Sequence, residues 1–300
     1  MPTLHAPWLI TGASGMLGRE LAALLTRRGI PVAALGRRSL DVTDAAATRA
    51  ALARHRPAVV VNCAAWTAVD AAETRPAEAL RVNGDGPAHL AAACRGHGVR
   101  LLHLSTDYVF AGRAGRPYRE DDPTGPQTVY GSTKLAGEQA VLGELPETGY
   151  VVRTAWLYGA GGPNFVSTMI RLAAGGDPVP VVDDQRGQPT WTADLAERLA
   201  ALGGGALAGT APAGIYHAVS SGETTWYALA RETFRLSGAD PGRVRPTTTR
   251  SLDRPAARPA FSVLGQERWR EAGLGPMREW RAALAEAFPV LRRAVDRPAA

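Results

Sequence analysis

Lysine is almost absent from this 300-residue chain: of its 34 basic residues only Lys134 is lysine. A chain that uses arginine wherever either base serves places its one lysine where a compact, rotatable ammonium is needed. Cysteine is scarce too. Cys63 and Cys94 lack metal-ligand spacing, so neither a metal site nor a disulfide is expected and both thiols are read as reduced. No run approaches about 18 uninterrupted apolar residues, which argues against a membrane span. Met1 to Pro7 lacks the basic stretch and long apolar run of a signal peptide, so a cytoplasmic location is expected. The formal charge of +6 is spread over scattered arginines, which argues against a nucleic-acid partner and fits a small anionic substrate.

What the chain does have is enough apolar content, 45%, for a substantial core, arranged in a strand–helix rhythm. Strands are expected at 8–11, 31–35, 58–62, 99–105 and 150–153, and helices after the first glycine turn and over 44–54, 76–95 and 130–142. Such alternation builds a doubly wound parallel sheet covered on both faces, an α/β class. Residues 111–128 read as a surface excursion. Beyond Thr154 the rhythm weakens: 164–174, 192–201 and 225–236 read as helices, and Gly203-Gly204-Gly205 as a loop. Residues 1–154 are therefore expected to bind a cofactor and 155–300 mainly to form a smaller substrate lobe.

Gly12-Ala-Ser-Gly15-Met-Leu-Gly18 follows a strand and opens a helix. Gly12 permits the tight turn, Gly15 a close approach to a pyrophosphate and Gly18 helix–strand packing, with Ser14, Met16 and Leu17 completing the cofactor-facing turn. A carboxylate at the end of the second strand would bind a ribose hydroxyl. Here Arg37 and Arg38 suit a 2′-phosphate, so NADPH is expected, with NADH the alternative. Asp41 and Val42 are candidates for the adenine edge, and Ala64 and Ala65 give a small-residue wall.

Tyr130-Gly-Ser-Thr-Lys134 sets a phenol and an ammonium four apart on one helix face. The ammonium is expected to pull the phenol down toward the working pH. Ser105-Thr106-Asp107 ends a strand at the carboxyl edge where open sheets bind ligands, so Thr106 is read as orienting a substrate carbonyl and Tyr130 as its proton donor. Trp66 and Trp156 are candidate platforms for a sugar or base. An arginine of the stretch Arg254-Pro-Ala-Ala-Arg258-Pro, with Arg258 the candidate, could pair with a diphosphate. Asp183, Asp184 and Gln185 are read as structural loop residues.

The segments GASGMLG, STDYVF, YGSTKLAGE, RTAWLYG, NFVSTM, DDQRGQPT, GIYH and SGETTW resemble the dTDP-4-dehydrorhamnose reductase branch of the extended short-chain dehydrogenase/reductase family over nearly the whole chain. The resemblance implies a Rossmann-type domain with an interleaved C-terminal substrate lobe. It also implies NADPH-dependent reduction of the 4-keto group of dTDP-6-deoxy-L-lyxo-4-hexulose to dTDP-L-rhamnose. Thr106, Tyr130 and Lys134 match the family's catalytic triad; Ala64, Ala65 and Trp66 match its cofactor and substrate wall, and Trp156 a substrate contact. Some members bind magnesium through glutamates at a dimer interface. Glu20 and Glu286 match two of those positions but Ala193 takes the third, so no metal is expected and a homodimer stays open. Alternatives are reduction of another dTDP-4-keto-6-deoxysugar, nucleotide-sugar epimerisation, or a non-catalytic regulatory role.

Overall fold

The structure, a computed structural model, describes residues 6–296; Met1 to His5, part of the segment read for a signal peptide, lie outside them. The first half runs β1 (Trp8–Thr11), α1 (Met16–Arg27), β2 (Val32–Leu35), α2 (Ala45–His55), β3 (Val59–Asn62), α3 (Val69–Thr74), α4 (Pro76–Leu80), α5 (Gly86–His97), β4 (Arg100–Thr106), α6 (Val129–Glu144) and β5 (Gly149–Thr154). The second continues with β6 (Leu157–Tyr158), α7 (Phe165–Ala173), β7 (Val179–Val182), β8 (Arg186–Gly187), β9 (Thr190–Trp191), α8 (Thr192–Ala208), β10 (Gly214–His217), β11 (Thr224–Thr225), α9 (Trp226–Leu236), β12 (Val244–Thr247) and α10 (Trp280–Asp296).

Six strands form one parallel sheet in the order β10-β5-β4-β3-β1-β2. Because side chains alternate across a strand, consecutive apolar residues serve opposite faces. Ile10, Val61 and Val152 join the leucines of α1 and α8 on one side. Leu9, Val60 and Val151 join Leu52, Leu90 and Val141 of α2, α5 and α6 on the other. Each such buried leucine contributes on the order of 2 kcal/mol. Chain direction across the sheet reverses at β1, whose neighbours are β2 and β3, and a crevice opens at the carboxyl ends there. Around it the second half adds the short pairs β6–β9, β7–β12 and β8–β11 and a helical cluster of α7, α9 and α10.

Two expectations need correction. Gly203, Gly204 and Gly205 lie inside α8, which continues to Ala208 and ends at the left-handed Gly209. A Cβ on Gly203 would lie 2.1 Å from Trp8 Cη2, so the bare backbone is what lets α8 lie on the sheet. Packing there outweighs the low helix propensity of glycine. The helix expected over 76–95 is α4, a π-helical turn at Arg81–Asp85, and α5. Pro87, with no N–H to donate, stands in the first turn of α5. No expectation covered α3, β10 or α10.

Candidate active site

Gly12, with φ +62°, turns the chain out of β1 under the segment after β3, where a Cβ would lie 2.6 Å from Ala64 N. On Gly18 a Cβ would lie 2.5 Å from Gly12 O, so α1 can begin only against a bare backbone. Gly15 caps α1 without a side-chain bond, and the first turn has no acidic residue. Its N–H groups and positive dipole end are thus left for an anion. They open on a cavity of about 890 Å³ whose wall includes Ser14, Gly15, Met16, Leu17, Gly18 and Ala65.

The expected adenosine-side residues lie outside that cavity wall. Arg37 and Arg38 are exposed at the end of β2, and Arg37 Nε approaches Asp41 Oδ2 only to 3.9 Å. Asp41 accepts from Thr43 N (3.0 Å) and Oγ1 (2.8 Å), which hold its carboxyl below the usual range. Val42 is buried, its side chain in the core. Ala64 lies over Gly12, and Trp66 turns its ring beneath the Arg75 guanidinium, 4.9 Å from the centroid, and donates to Ala68 O (3.1 Å).

Thr106, Asp107, Tyr130 and Lys134 meet on the inner wall. Thr128 caps α6 by accepting from Gly131 N (3.0 Å), and a Cβ on Gly131 would lie 2.2 Å from Tyr108 O. The glycine after Tyr130 therefore seats α6 on the turn after β4, with the Tyr108 ring edge-on to Tyr130 at 5.5 Å. Thr106 Oγ1 donates to Asp107 Oδ1 (3.0 Å). Burial pushes the Asp107 carboxyl up to about 6.

The phenol is not pulled toward neutral pH as expected. Burial pushes Tyr130 up to about 12, against the smaller opposing effect of the Thr106 hydroxyl. Lys134 donates to Leu104 O (2.6 Å), and burial draws its ammonium down to about 8. Desolvation thus sets the state of the phenol, and Tyr130 keeps its proton at neutral pH, the state an acid needs.

On the outer wall Trp156 adopts the left-handed φ of +46° and stacks on Trp226 at 3.7 Å, with 10° between planes. Gly187 leaves room for it, since a Cβ there would lie 2.5 Å from Trp156 Cε2. Gln185 accepts from Trp226 Nε1 (3.1 Å) and donates to Thr249 Oγ1 (2.8 Å). Arg258 reaches the cavity while paired with Asp70 (2.8 Å), and Arg254 lies 3.9 Å from the same oxygen. Sequence reasoning assigned no site role to Trp226, Gln185, Tyr108 or Asp70. Trp226 lies in the quoted SGETTW segment, the one signal available for it. Glu286 is paired with Arg278, which also forks onto Asp194 at 2.7 and 2.8 Å. No group of three or more His, Cys, Asp or Glu among the described residues is placed to hold a metal ion.

A parallel sheet with a glycine cradle at its switch point, and a Thr, Tyr, Lys set on the adjoining wall, define a protein of the short-chain dehydrogenase/reductase class. Within it, the chain belongs to the family described as the RmlD substrate binding domain, which it matches over residues 7–293. A Streptomyces griseus dTDP-4-dehydrorhamnose reductase is 72% identical over 97% of this chain and 96% of its own length. A Streptomyces antibioticus protein described as a probable dTDP-4,6-dihydroxy-2-methyloxan-3-one 4-ketoreductase is 58% identical over 97% of each. The solved structure of the Bacillus anthracis dTDP-4-dehydrorhamnose reductase in complex with NADP superposes with a TM-score of 0.90 at 34% identity, covering 96% of this chain and all of that one.

Proposed function

We propose that the protein uses NADPH to reduce the 4-keto group of dTDP-6-deoxy-L-lyxo-4-hexulose, yielding dTDP-L-rhamnose. The observation that carries this reading is the convergence of Thr106, Tyr130 and Lys134 on a cavity that also opens on the bare N-terminus of α1. The names of the relatives from Streptomyces griseus and Bacillus anthracis agree with it. NADPH when bound supplies the hydride. The α1 amides hold its pyrophosphate, Arg37 and Arg38 its 2′-phosphate, and Lys134 its ribose. Thr106 exchanges Asp107 Oδ1 for the carbonyl oxygen, Tyr130 directs its hydroxyl at the same atom, and Tyr130 delivers the proton that the new hydroxyl requires. Trp156, backed by Trp226, gives a flat apolar face to the sugar or thymine. Arg258 exchanges Asp70 for the diphosphate. The cofactor unit consists of residues 6–154 together with α8 and β10, and the other described residues form the substrate lobe. The cytoplasm is the compartment that suits a consumer of NADPH whose two cysteines are free.

The test is NADPH consumption by purified protein given freshly prepared dTDP-6-deoxy-L-lyxo-4-hexulose, with the product identified by NMR. Oxidation yielding dTDP-L-rhamnose is expected, with Tyr130→Phe slower by about two to four orders of magnitude and NADPH affinity within a few-fold. No turnover by folded, NADPH-binding protein overturns the reading. The Streptomyces antibioticus relative favours a second reading, reduction of a different dTDP-4-keto-6-deoxysugar, which a different product epimer would identify. NAD retained through purification, with no need for added reductant, would point instead to an epimerase.

A further inference from the structure

One turn beyond Lys134 on α6, Glu138 lies wholly inside the protein, as do Lys134 and Arg153, each 1–2% exposed. Its carboxylate takes a bidentate pair from Arg153 of β5, Nε at 2.9 Å and Nη2 at 2.7 Å, and a further bond from the Ser105 hydroxyl beside Thr106. Arg153 is in turn held by Glu120 O (3.3 Å) and lies over the Phe110 ring at 4.8 Å. One buried carboxylate thus joins the lysine helix, the Thr106 strand end and the neighbouring strand. A pair serving packing alone would be replaceable by apolar residues of similar volume at little cost. That argument does not account for its position one turn from the one lysine of the chain.

We propose that Glu138 is a positioning residue that keeps the buried Lys134 ammonium charged and fixes the strand end carrying Thr106. The proposal rests on the reading of Lys134 as part of the active site. The groups that face the lysine give it little other support. The Cys63 thiol, after β3, is pushed up to about 12 by burial and is neutral. His103 of β4 is held neutral by burial, and Tyr130, on the lysine's own helix, is also protonated. Asp107, after β4, accepts from the Thr106 hydroxyl through Oδ1 alone, and burial pushes its carboxyl up to about 6, whereas Glu138 acts on the lysine in the direction that favours its charge.

The single lysine makes the test direct. The untagged protein labelled with lysine carrying ¹³C at Cε shows one side-chain resonance, whose pH titration reads Lys134 with no substrate present. Native protein is expected to show a charged amine at pH 7. In Glu138→Gln, which keeps the shape and loses the charge, the midpoint is expected about one pH unit or more lower. The basic limb of kcat for NADPH oxidation should move with it, and Glu138→Asp should return both toward the native position. A native lysine already neutral at pH 7 overturns the proposal, and so does an unmoved midpoint in Glu138→Gln; the first needs no variant to fold. Absence of NADPH oxidation by the native protein would refute the reductase reading and leave the titration result standing on its own.

Discussion

Arg37 and Arg38 end β2 in solvent, and apart from the long approach of Arg37 to Asp41 nothing fixes them before a phosphate arrives. Charge-assisted bonds to a 2′-phosphate are the interaction they are built for. Replacing both by alanine should weaken NADPH binding by about tenfold or more while NADH binding stays within a few-fold. Fluorescence titration with each cofactor measures this, and an equal loss for both would remove the arginines from cofactor selection. The residues legible in the sequence were those with local spacing: three glycines at a helix entry, and a tyrosine and lysine one turn apart. Trp226 and Gln185 reach the cavity, and Asp70 reaches its Arg258, from positions far apart in the chain, and no local pattern marks such a meeting. The phenol's state was misjudged for a related reason, since spacing reports an ammonium on the same helix face but not the burial that raises the phenol.

Among the elements, α8 shows how the same residue type can carry opposite meanings at consecutive positions. Gly203 faces Trp8 with no room for a methyl, whereas a Cβ on Gly204 would meet nothing within 4 Å. Gly204→Ala should therefore stabilise the protein by about 0.5–1 kcal/mol, the helix-propensity gain. Gly203→Ala should destabilise it by about 1–3 kcal/mol through overpacking against the sheet. Urea unfolding of the two variants decides this, and equal stabilisation by both would mean that α8 does not lie on Trp8. The glycine triplet read as a loop because propensity is a local quantity, while the contact with Trp8 spans about two thirds of the chain. The centre of the sheet was legible for the converse reason. β1, β3, β4 and β5 are buried on both faces and so read as short, nearly continuous apolar runs.

At the scale of the whole molecule, the central sheet carries its own acid sensitivity. His103 of β4 and His217 of β10 are both buried; burial holds the first well below its ordinary range and lowers the second to about 3. Each takes up a proton only when the chain unfolds, so stability falls as pH drops below about 6.5 and keeps falling until His217 titrates in the native state. Asp107 works in the opposite sense. Its folded value of about 6 lies above the ordinary 3.8, so between those values the native state holds a proton that the unfolded chain has lost, and stability falls as pH rises through that window. Glu120, raised by burial, acts in the same direction as Asp107. Near pH 5 the histidines and the two carboxyls therefore oppose one another, and single substitutions separate them. His217→Gln should flatten the rise of unfolding free energy with pH between 4.5 and 5.5 by about one proton, or about 1.4 kcal/mol per pH unit. Asp107→Asn should steepen it by about the same amount. Urea unfolding at several pH values gives each slope independently of any constant loss of stability. A slope unchanged by His217→Gln would mean that the imidazole is already protonated within the fold, and the packing of β10 against β5 would then have to accommodate a buried cation beside Arg153.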